Sequence, residues 1–385
     1  MTDPYDVIVV GLGAMGSAAA WRLARRGLRV LAFDSYAPPH TLGSTHGRSR
    51  IIREAYFEHP SYVPFIRRAY ELWGETEREA GERLFLQTGG LMIGRPDGEI
   101  VSGALASARE YDIEHELLSA EEVRRRYPVL VPGRDMIGVL EKRAGVLKPE
   151  LCVHSQLRLA MDAGAGLRLN ERVDGWEVDG AGVAVSTASG AVHHAGRLVL
   201  AAGPWVSELL QESTVPLEVE RQLMFWFDPL QSAGFAPEEC PIALWDEPDG
   251  PAFATFPDLG EGVKIAIHHH GETTSVHDVD RTPRPANEAA ARKLLARFLP
   301  AANGTLREAM VCLYTNTPDR HFIIDYLDES RRVVLASPCS GHGFKFASAV
   351  GEAVAALVAD EPPPVDISLF RLDRFGRAPA GRQSN

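Results

Sequence analysis

The chain has 385 residues, 45% of them hydrophobic, with 40 Lys and Arg against 52 Asp and Glu and a formal net charge of −12. That length buries a large core and suggests two or three lobes. Mixed charges with an acidic balance argue against a nucleic-acid surface, and no apolar run is long enough to span a bilayer. Cys152, Cys240, Cys312 and Cys339 lie far apart with no C-x-x-C pair, which fits a reducing cytosol and offers no zinc site. The first strand starts too near Met1 to leave room for a signal peptide, and the terminal GRQSN is not a peroxisomal address. A cytoplasmic location is therefore expected.

Residues 6–10 are a short apolar, β-branched run, the pattern of a strand buried on both faces. Gly11, Gly13 and Gly16 follow with G-x-G-x-x-G spacing. The first allows a tight turn, the second lets backbone approach a pyrophosphate, and the third lets a helix sit close to the sheet. Residues 14–26 favour a helix whose positive N-terminal end faces that pyrophosphate. A second strand over 29–33 ends at Asp34, where an acid can bind a ribose hydroxyl. Strand, helix, strand and acid in register point to an ADP-containing dinucleotide. The glycine spacing alone would also suit a tight turn that binds nothing, and these residues do not separate FAD from NAD.

Residues 35–56, rich in proline, glycine and serine, read as a loop. Its Arg48, Arg50 and Arg53 gather at what would be the cofactor's edge, although a solvated basic loop has the same composition. Residues 62–79 are amphipathic at helical spacing, 84–93 read as strand–turn–strand, and 106–130 as helical segments around a turn, with Ser119 and Glu122 offering a capping box. A helix over 149–163 and strands at 167–169 and 175–179 come next. Hairpin strands over 182–199 run into RLVLAAGPW, an apolar strand ending on Gly203, which can return the chain to the cofactor edge. Residues 218–270 are strand-rich with interleaved aromatics, the pattern of a separate antiparallel sheet. His268, His269 and His270 cluster without spaced carboxylate or thiolate partners, so no metal is expected. A helix over 287–298, the segment MVCLYTNTPDRHFIIDY, a strand at 333–336 and a helix over 347–358 complete the chain. SGHGFKF, before the last helix, makes a second anion-friendly turn. Residues 1–85, 146–215 and 318–380 then form a nucleotide domain, and 86–145 and 216–317 a substrate domain, with the cofactor held between them.

Taken in order, GLGAMGSAAA, GSTHGRSRIIR, LAAGPW, VKIAIH, CLYTNTPDRHFIID and SGHGFKFASAVGE resemble the monomeric sarcosine oxidase and N-methyltryptophan oxidase family from the first strand to the last helix. The resemblance implies a two-domain α/β fold like that of p-hydroxybenzoate hydroxylase: a Rossmann-like FAD-binding domain joined to an antiparallel-sheet substrate domain. It also implies a monomer that oxidises secondary amino acids to imines, which hydrolyse, while O2 becomes hydrogen peroxide.

The same resemblance places FAD on a covalent 8α linkage to Cys312, with Cys339 outside the linkage position. Arg53 and Lys345 match the pair that holds the substrate carboxylate, and Arg50 the arginine beside the flavin ring. Lys264 matches the lysine that promotes the oxygen reaction by stabilising superoxide; an exposed strand lysine is the bland alternative. His268, four residues on and so on the same strand face, matches an active-site histidine, and Tyr314 a pocket-lining residue. Ser44, His46, Gly203, Gly341, Gly343 and Phe344 fall in cofactor-contacting segments, as does His342. No dedicated carboxylate base is apparent. Family sarcosine oxidases have a tyrosine where this chain has Phe253, and bulky Met224 and Trp226 lie nearby, so a larger or cyclic substrate such as N-methyltryptophan or pipecolate is an alternative to sarcosine. The rivals are an NAD-dependent dehydrogenase, a non-catalytic flavin-binding subunit, and a noncovalent FAD dehydrogenase that passes electrons to another acceptor.

Overall fold

The computed structural model describes residues 5–178, 180, 182–210, 215–327, 329–337 and 340–376; Asp179, Cys339 and the domain end over 377–380 therefore lie outside the described residues. In chain order the elements are β1 (Tyr5–Val10), α1 (Ala14–Arg25), β2 (Val30–Asp34), β3 (Arg50–Ile52), α2 (Tyr62–Ala80), β4 (Phe85–Gln87), β5 (Gly90–Gly94), α3 (Glu99–Glu110), β6 (Glu116–Ser119) and α4 (Ala120–Arg126). Next are β7 (Ile137–Glu141), β8 (Gly145–Leu147), α5 (Pro149–Asp162), β9 (Gly166–Leu169), β10 (Val173–Val178), β11 (Val183–Thr187), β12 (Val192–Leu200), α6 (Val206–Leu209) and β13 (Glu218–Phe227). The chain continues through β14 (Ile242–Trp245), β15 (Phe253–Phe256), β16 (Val263–Ile267), α7 (Pro285–Phe298), β17 (Leu306–Asn316), β18 (Ile324–Tyr326), β19 (Val333–Ala336) and α8 (Ala347–Val358).

The first sheet runs β10-β11-β12-β1-β2-β9, with β19 beside the end of β12 and β18 beside β19. The β19, β12, β1, β2 and β9 pairings are parallel, and both faces of this core are buried, as its continuous apolar runs require. Helices α1, α2, α5 and α8 pack together over one face. Gly11 sits at φ +91, and a Cβ there would lie 2.5 Å from the Ala201 carbonyl oxygen; at Gly16 it would lie 1.6 Å from the Gly11 oxygen. Only glycine lets α1 leave β1 at this angle and lie this close to it.

The second sheet runs β17-β13-β16-β15-β14-β5-β7-β6. Its strands alternate. Phe225, Phe227, Ile265, Phe253 and Trp245 pack with Leu295 and Phe298 of α7 on the outer face, while Met224, Lys264, Ala266, Ala254 and Leu244 turn inward to border a cavity. A small third sheet, β3-β8-β4, lies between the two large ones in sequence and carries the end of the arginine loop.

Residues 84–93 do form strand–turn–strand, and Thr88 and Gly89 carry the chain from β4 in the third sheet to β5 in the second. Several other expectations are corrected. Strand β6 interrupts the helical reading of 106–130, since Leu118 is buried against its partner β7 while Leu117 is exposed; the capping box at Ser119 and Glu122 does form and starts α4. The second sheet contains one parallel pair, β14 with β5. Strand β12 stops at Leu200, and Gly203 opens a 3-10 turn at φ +55. The loop reading of 35–56 gives way at β3, which pairs antiparallel with β8.

Buried Glu141, at the end of β7, holds the arginine loop in place by accepting the N–H of Glu54 at 2.8 and 2.9 Å and that of Ala55 at 2.8 Å. Glu141→Ala would orphan both donors at on the order of 1–3 kcal/mol each. Its urea midpoint is expected to fall well below that of wild type, with Glu141→Gln intermediate.

Candidate functional site

The two large sheets enclose a cavity of about 450 Å³ that runs from the end of β1 to the inner face of the second sheet. At one end are Gly11, Gly13, Asp34 and Gly203. Asp34 accepts the N–H of Leu12 at 2.7 Å and of Tyr36 at 2.8 Å, tying the end of β2 to the glycine turn; burial pushes its carboxyl above the usual range. Helix α1 starts without a side-chain cap or an acidic residue in its first turn, so its positive end suits a phosphate. Gly16 lies behind this end, against Gly11 rather than in the cavity. Tyr36, His40 and Trp205 form an aromatic group at the same mouth, with ring centroids 4.9 to 6.4 Å apart.

At the centre is the loop over 44–50, clasped from two sides. Glu150 of α5 accepts the N–H of Gly47 and Arg48 at 2.8 and 3.0 Å. Lys264 of β16 donates to the Gly47 and Ser49 carbonyls and the Ser49 hydroxyl at 2.8, 2.9 and 3.0 Å. Lys264 is 2% exposed, so the solvated-lysine alternative is ruled out. Burial, then Arg50, drives its pKa well below the usual lysine value, while the Phe256 and Trp226 rings, 4.6 and 5.3 Å away, favour its charge. Arg50 donates to the Ser44 and Ser49 carbonyls at 2.9 Å each, and its guanidinium lies 3.7 Å from the Cys312 sulfur. The Cys312 thiol donates to the Ser44 carbonyl at 3.5 Å. The Ser44 hydroxyl and both ring nitrogens of His46 are buried without hydrogen-bond partners. Burial, then Arg50 and Lys264, lowers His46 to about 3, so its ring is neutral. His46 packs beneath the cavity wall rather than lining it. Arg48 does not join its neighbours: it turns outward to Glu308 at 2.6 Å and Glu261 at 3.3 Å.

At the far end Arg53, 2% exposed, donates to the Ala55 carbonyl at 2.7 Å and to Glu58 at 2.6 Å, and its guanidinium lies over Tyr56 and Phe57. Burial pushes the Glu58 carboxyl up, but Arg53, His342 and Lys345 outweigh it and hold it at about 2. Glu58 is thus a carboxylate in the cavity wall that sequence reasoning missed, and Arg53 makes it a poor base. Its five-residue separation from Arg53 was the available signal, but only the turn after β3 brings the two together. Lys345 donates to the His342 carbonyl at 2.7 Å and contacts the Tyr56 hydroxyl at 3.4 Å; burial, then Arg53, lowers it to about 7. His342 donates from Nε2 to the Arg320 carbonyl at 3.0 Å and accepts from the Tyr56 hydroxyl at Nδ1, the neutral tautomer. His268 lies 3.2 Å from the Tyr314 hydroxyl. Burial, then His269, lowers His268 to about 3, and burial pushes Tyr314 up. Gly341, Gly343 and Phe344 complete this end, and a Cβ on Gly341 would lie 2.5 Å from the Tyr314 ring.

Phe253 is the exception among the substrate residues. Its backbone borders the cavity, but its ring is fully buried, stacks on Trp245 at 5.6 Å and packs tilted against Phe298 at 5.6 Å, on the outer face of the sheet. Met224 does face inward.

FAD fits this cavity. The uncapped α1 end, the Asp34 turn and the orphaned Ser44 hydroxyl suit its adenosine, pyrophosphate and polar groups, and Arg50, Arg53, Lys264 and Lys345 line the rest of the cavity. The sequence profile of the FAD dependent oxidoreductase family matches residues 6–357. A monomeric sarcosine oxidase of Streptomyces avermitilis is 42% identical over 385 residues, covering 99% of this chain and 100% of that one. An N-methyl-L-tryptophan oxidase of Yersinia pestis is 38% identical over 376 residues, covering 96% and 99%. The structure of NikD, an unusual amino acid oxidase essential for nikkomycin biosynthesis, superposes with a TM-score of 0.86 at 25% identity, covering 96% of this chain and 98% of that one. Among the described residues no helix is long and apolar enough to cross a membrane.

With Lys345 near 7, affinity for a simple carboxylate such as acetate should be highest below pH 7 and decline as pH rises and the ammonium loses its proton. Titration followed by flavin absorbance checks this, and Lys345→Met should flatten the profile.

Proposed function

Because the chain belongs to the FAD-dependent oxidoreductases and groups within them with the monomeric sarcosine and N-methyl-L-tryptophan oxidases, we propose that it is an oxidase of N-methyl or cyclic secondary amino acids. For an N-methyl substrate the overall reaction consumes O2 and water and releases the primary amine, formaldehyde and hydrogen peroxide. The observation that carries this reading is the pairing of a buried Arg53–Lys345 cation set with a second one, Arg50–Lys264, across one cavity. FAD, when bound, supplies the two-electron acceptor and passes the pair to O2.

The residues divide the remaining work. Arg53 and Lys345 bind the substrate carboxylate, the first by a planar fork, the second as a compact charge. Neutral His268 and Tyr314 border the reacting amine. Neither His268 nor Glu58 is a strong base at neutral pH, so the cation-rich wall favours the uncharged amine by penalising its ammonium form. Lys264, ordered by three acceptors, stands ready to stabilise charge that develops on oxygen. We read Cys312, whose sulfur lies 3.7 Å from the Arg50 guanidinium, as the residue that would carry a covalent 8α link to the flavin; such a link would retain the cofactor and raise its oxidising power. We read the protein as a cytoplasmic monomer that uses O2 directly.

A panel of N-methyl and cyclic amino acids scored for peroxide tests the activity; no peroxide and no bleaching with any of them would refute it. A Lys264→Met variant should slow reoxidation of reduced flavin by about 100-fold or more, the range seen when a preorganised charge partner is removed, with anaerobic reduction changed far less. Acid precipitation should leave the wild-type pellet yellow and the Cys312→Ser pellet colourless.

A further inference from the structure

The inner face of the second sheet is laid out in cross-strand rows. Trp226, Lys264 and Phe256 are mutual partners across β13, β16 and β15. Two residues along lies the row Met224, Ala266, Ala254 and Leu244, paired in register across β13, β16, β15 and β14. The four border the same cavity as Arg53 and Lys345. Ala254, Ala266 and Leu244 are half-buried, whereas Phe253 and Ile265 beside them on the outer face are fully buried. Met224 and Leu244 are three strand spacings apart, ~14 Å, and between them the floor carries only two methyl groups. Ala252, Phe57 and Ile100 add apolar wall to the same cavity.

We infer that Ala254, not Phe253, sets the room for the substrate side chain, and that the Ala254–Ala266 trough takes secondary amino acids with a bulky apolar group on the α-carbon. This deepens the reading above and rests on it for the placement of the carboxylate at Arg53 and Lys345. Period-two alternation turns one of two adjacent residues toward the cavity, and the packing of its ring on Trp245 and Phe298 assigns Phe253 to the other side. In an apolar site a single methylene that fits or clashes changes kcat/KM by ~10–200-fold. A side chain that covers both alanines therefore separates a bulky substrate from N-methylglycine.

The test compares wild type with Ala254→Phe and the milder Ala254→Val in the flavin-loaded enzyme. It reads kcat/KM for N-methylphenylalanine against N-methylglycine. Kd for 3-phenylpropionate against propionate is measured in parallel by flavin absorbance. Both ratios favour the bulky member in wild type; they fall at least ~10-fold in Ala254→Phe and by a smaller factor in Ala254→Val, whereas Phe253→Leu leaves them within about twofold. Unchanged ratios in the Ala254 variants overturn the inference, as does loss of flavin from both, which would give the trough to the cofactor. If wild type oxidises no secondary amino acid but the carboxylate ratio shifts as stated, the trough stands and the amine-oxidase reading falls. If turnover occurs and neither ratio moves, the trough alone falls.

Discussion

A surplus of buried positive charge organises this protein. Arg50, Arg53, Lys264 and Lys345 converge on one cavity, and of the nearby carboxylates Glu58 pairs with Arg53 while Glu150 is committed to backbone N–H groups. Burying charge without partners is expensive, and the cost is visible in the depressed lysines, Lys264 and Lys345. Such a wall is tolerated because the carbonyls of the 44–50 loop and of His342 accept from the cations. It suits anionic occupants: a flavin ring that gains charge on reduction and a substrate carboxylate.

The fold supplies the rigidity that this arrangement needs. Lys264 reaches from the second sheet and Glu150 from the helix after the third, and between them they hold one loop by its oxygens and its N–H groups. Glu141, from the same second sheet, does the same for the next turn at Glu54 and Ala55. The first sheet brings Asp34 and the start of α1 to the opposite end. Arg50 and Arg53 come from β3 and its turn, Lys264 from the second sheet and Lys345 from the turn before α8, so the site is set by the packing of these elements on one another.

Local signals were readable where one stretch of chain contains all the parties. The glycine turn, α1 and Asp34 were legible together because spacing alone specifies the close approach, and the Ser119–Glu122 box because it closes within one helical turn. Errors arose where pairing partners are distant. Strand β6 depends on β7, and the parallel β14–β5 pair on a crossover of about 150 residues. Glu58 escaped notice because a carboxylate five residues from an arginine is common; the turn that closes the pair is not. Phe253 was misplaced by one residue, and in a strand one residue reverses the face.

By itself the sequence determined the glycine turn after β1, the family and most of the cations and other side chains that border the cavity, since these depend on residue type and short spacing. Tertiary structure alone decided which of the three loop arginines face inward, that Glu58 joins Arg53, that Lys264 is buried and clasps a loop, and that the Ala254 side chain rather than the Phe253 ring turns to the cavity. Those outcomes depend on desolvation and on the face a side chain presents, which arise only when layers from distant parts of the chain close on one another.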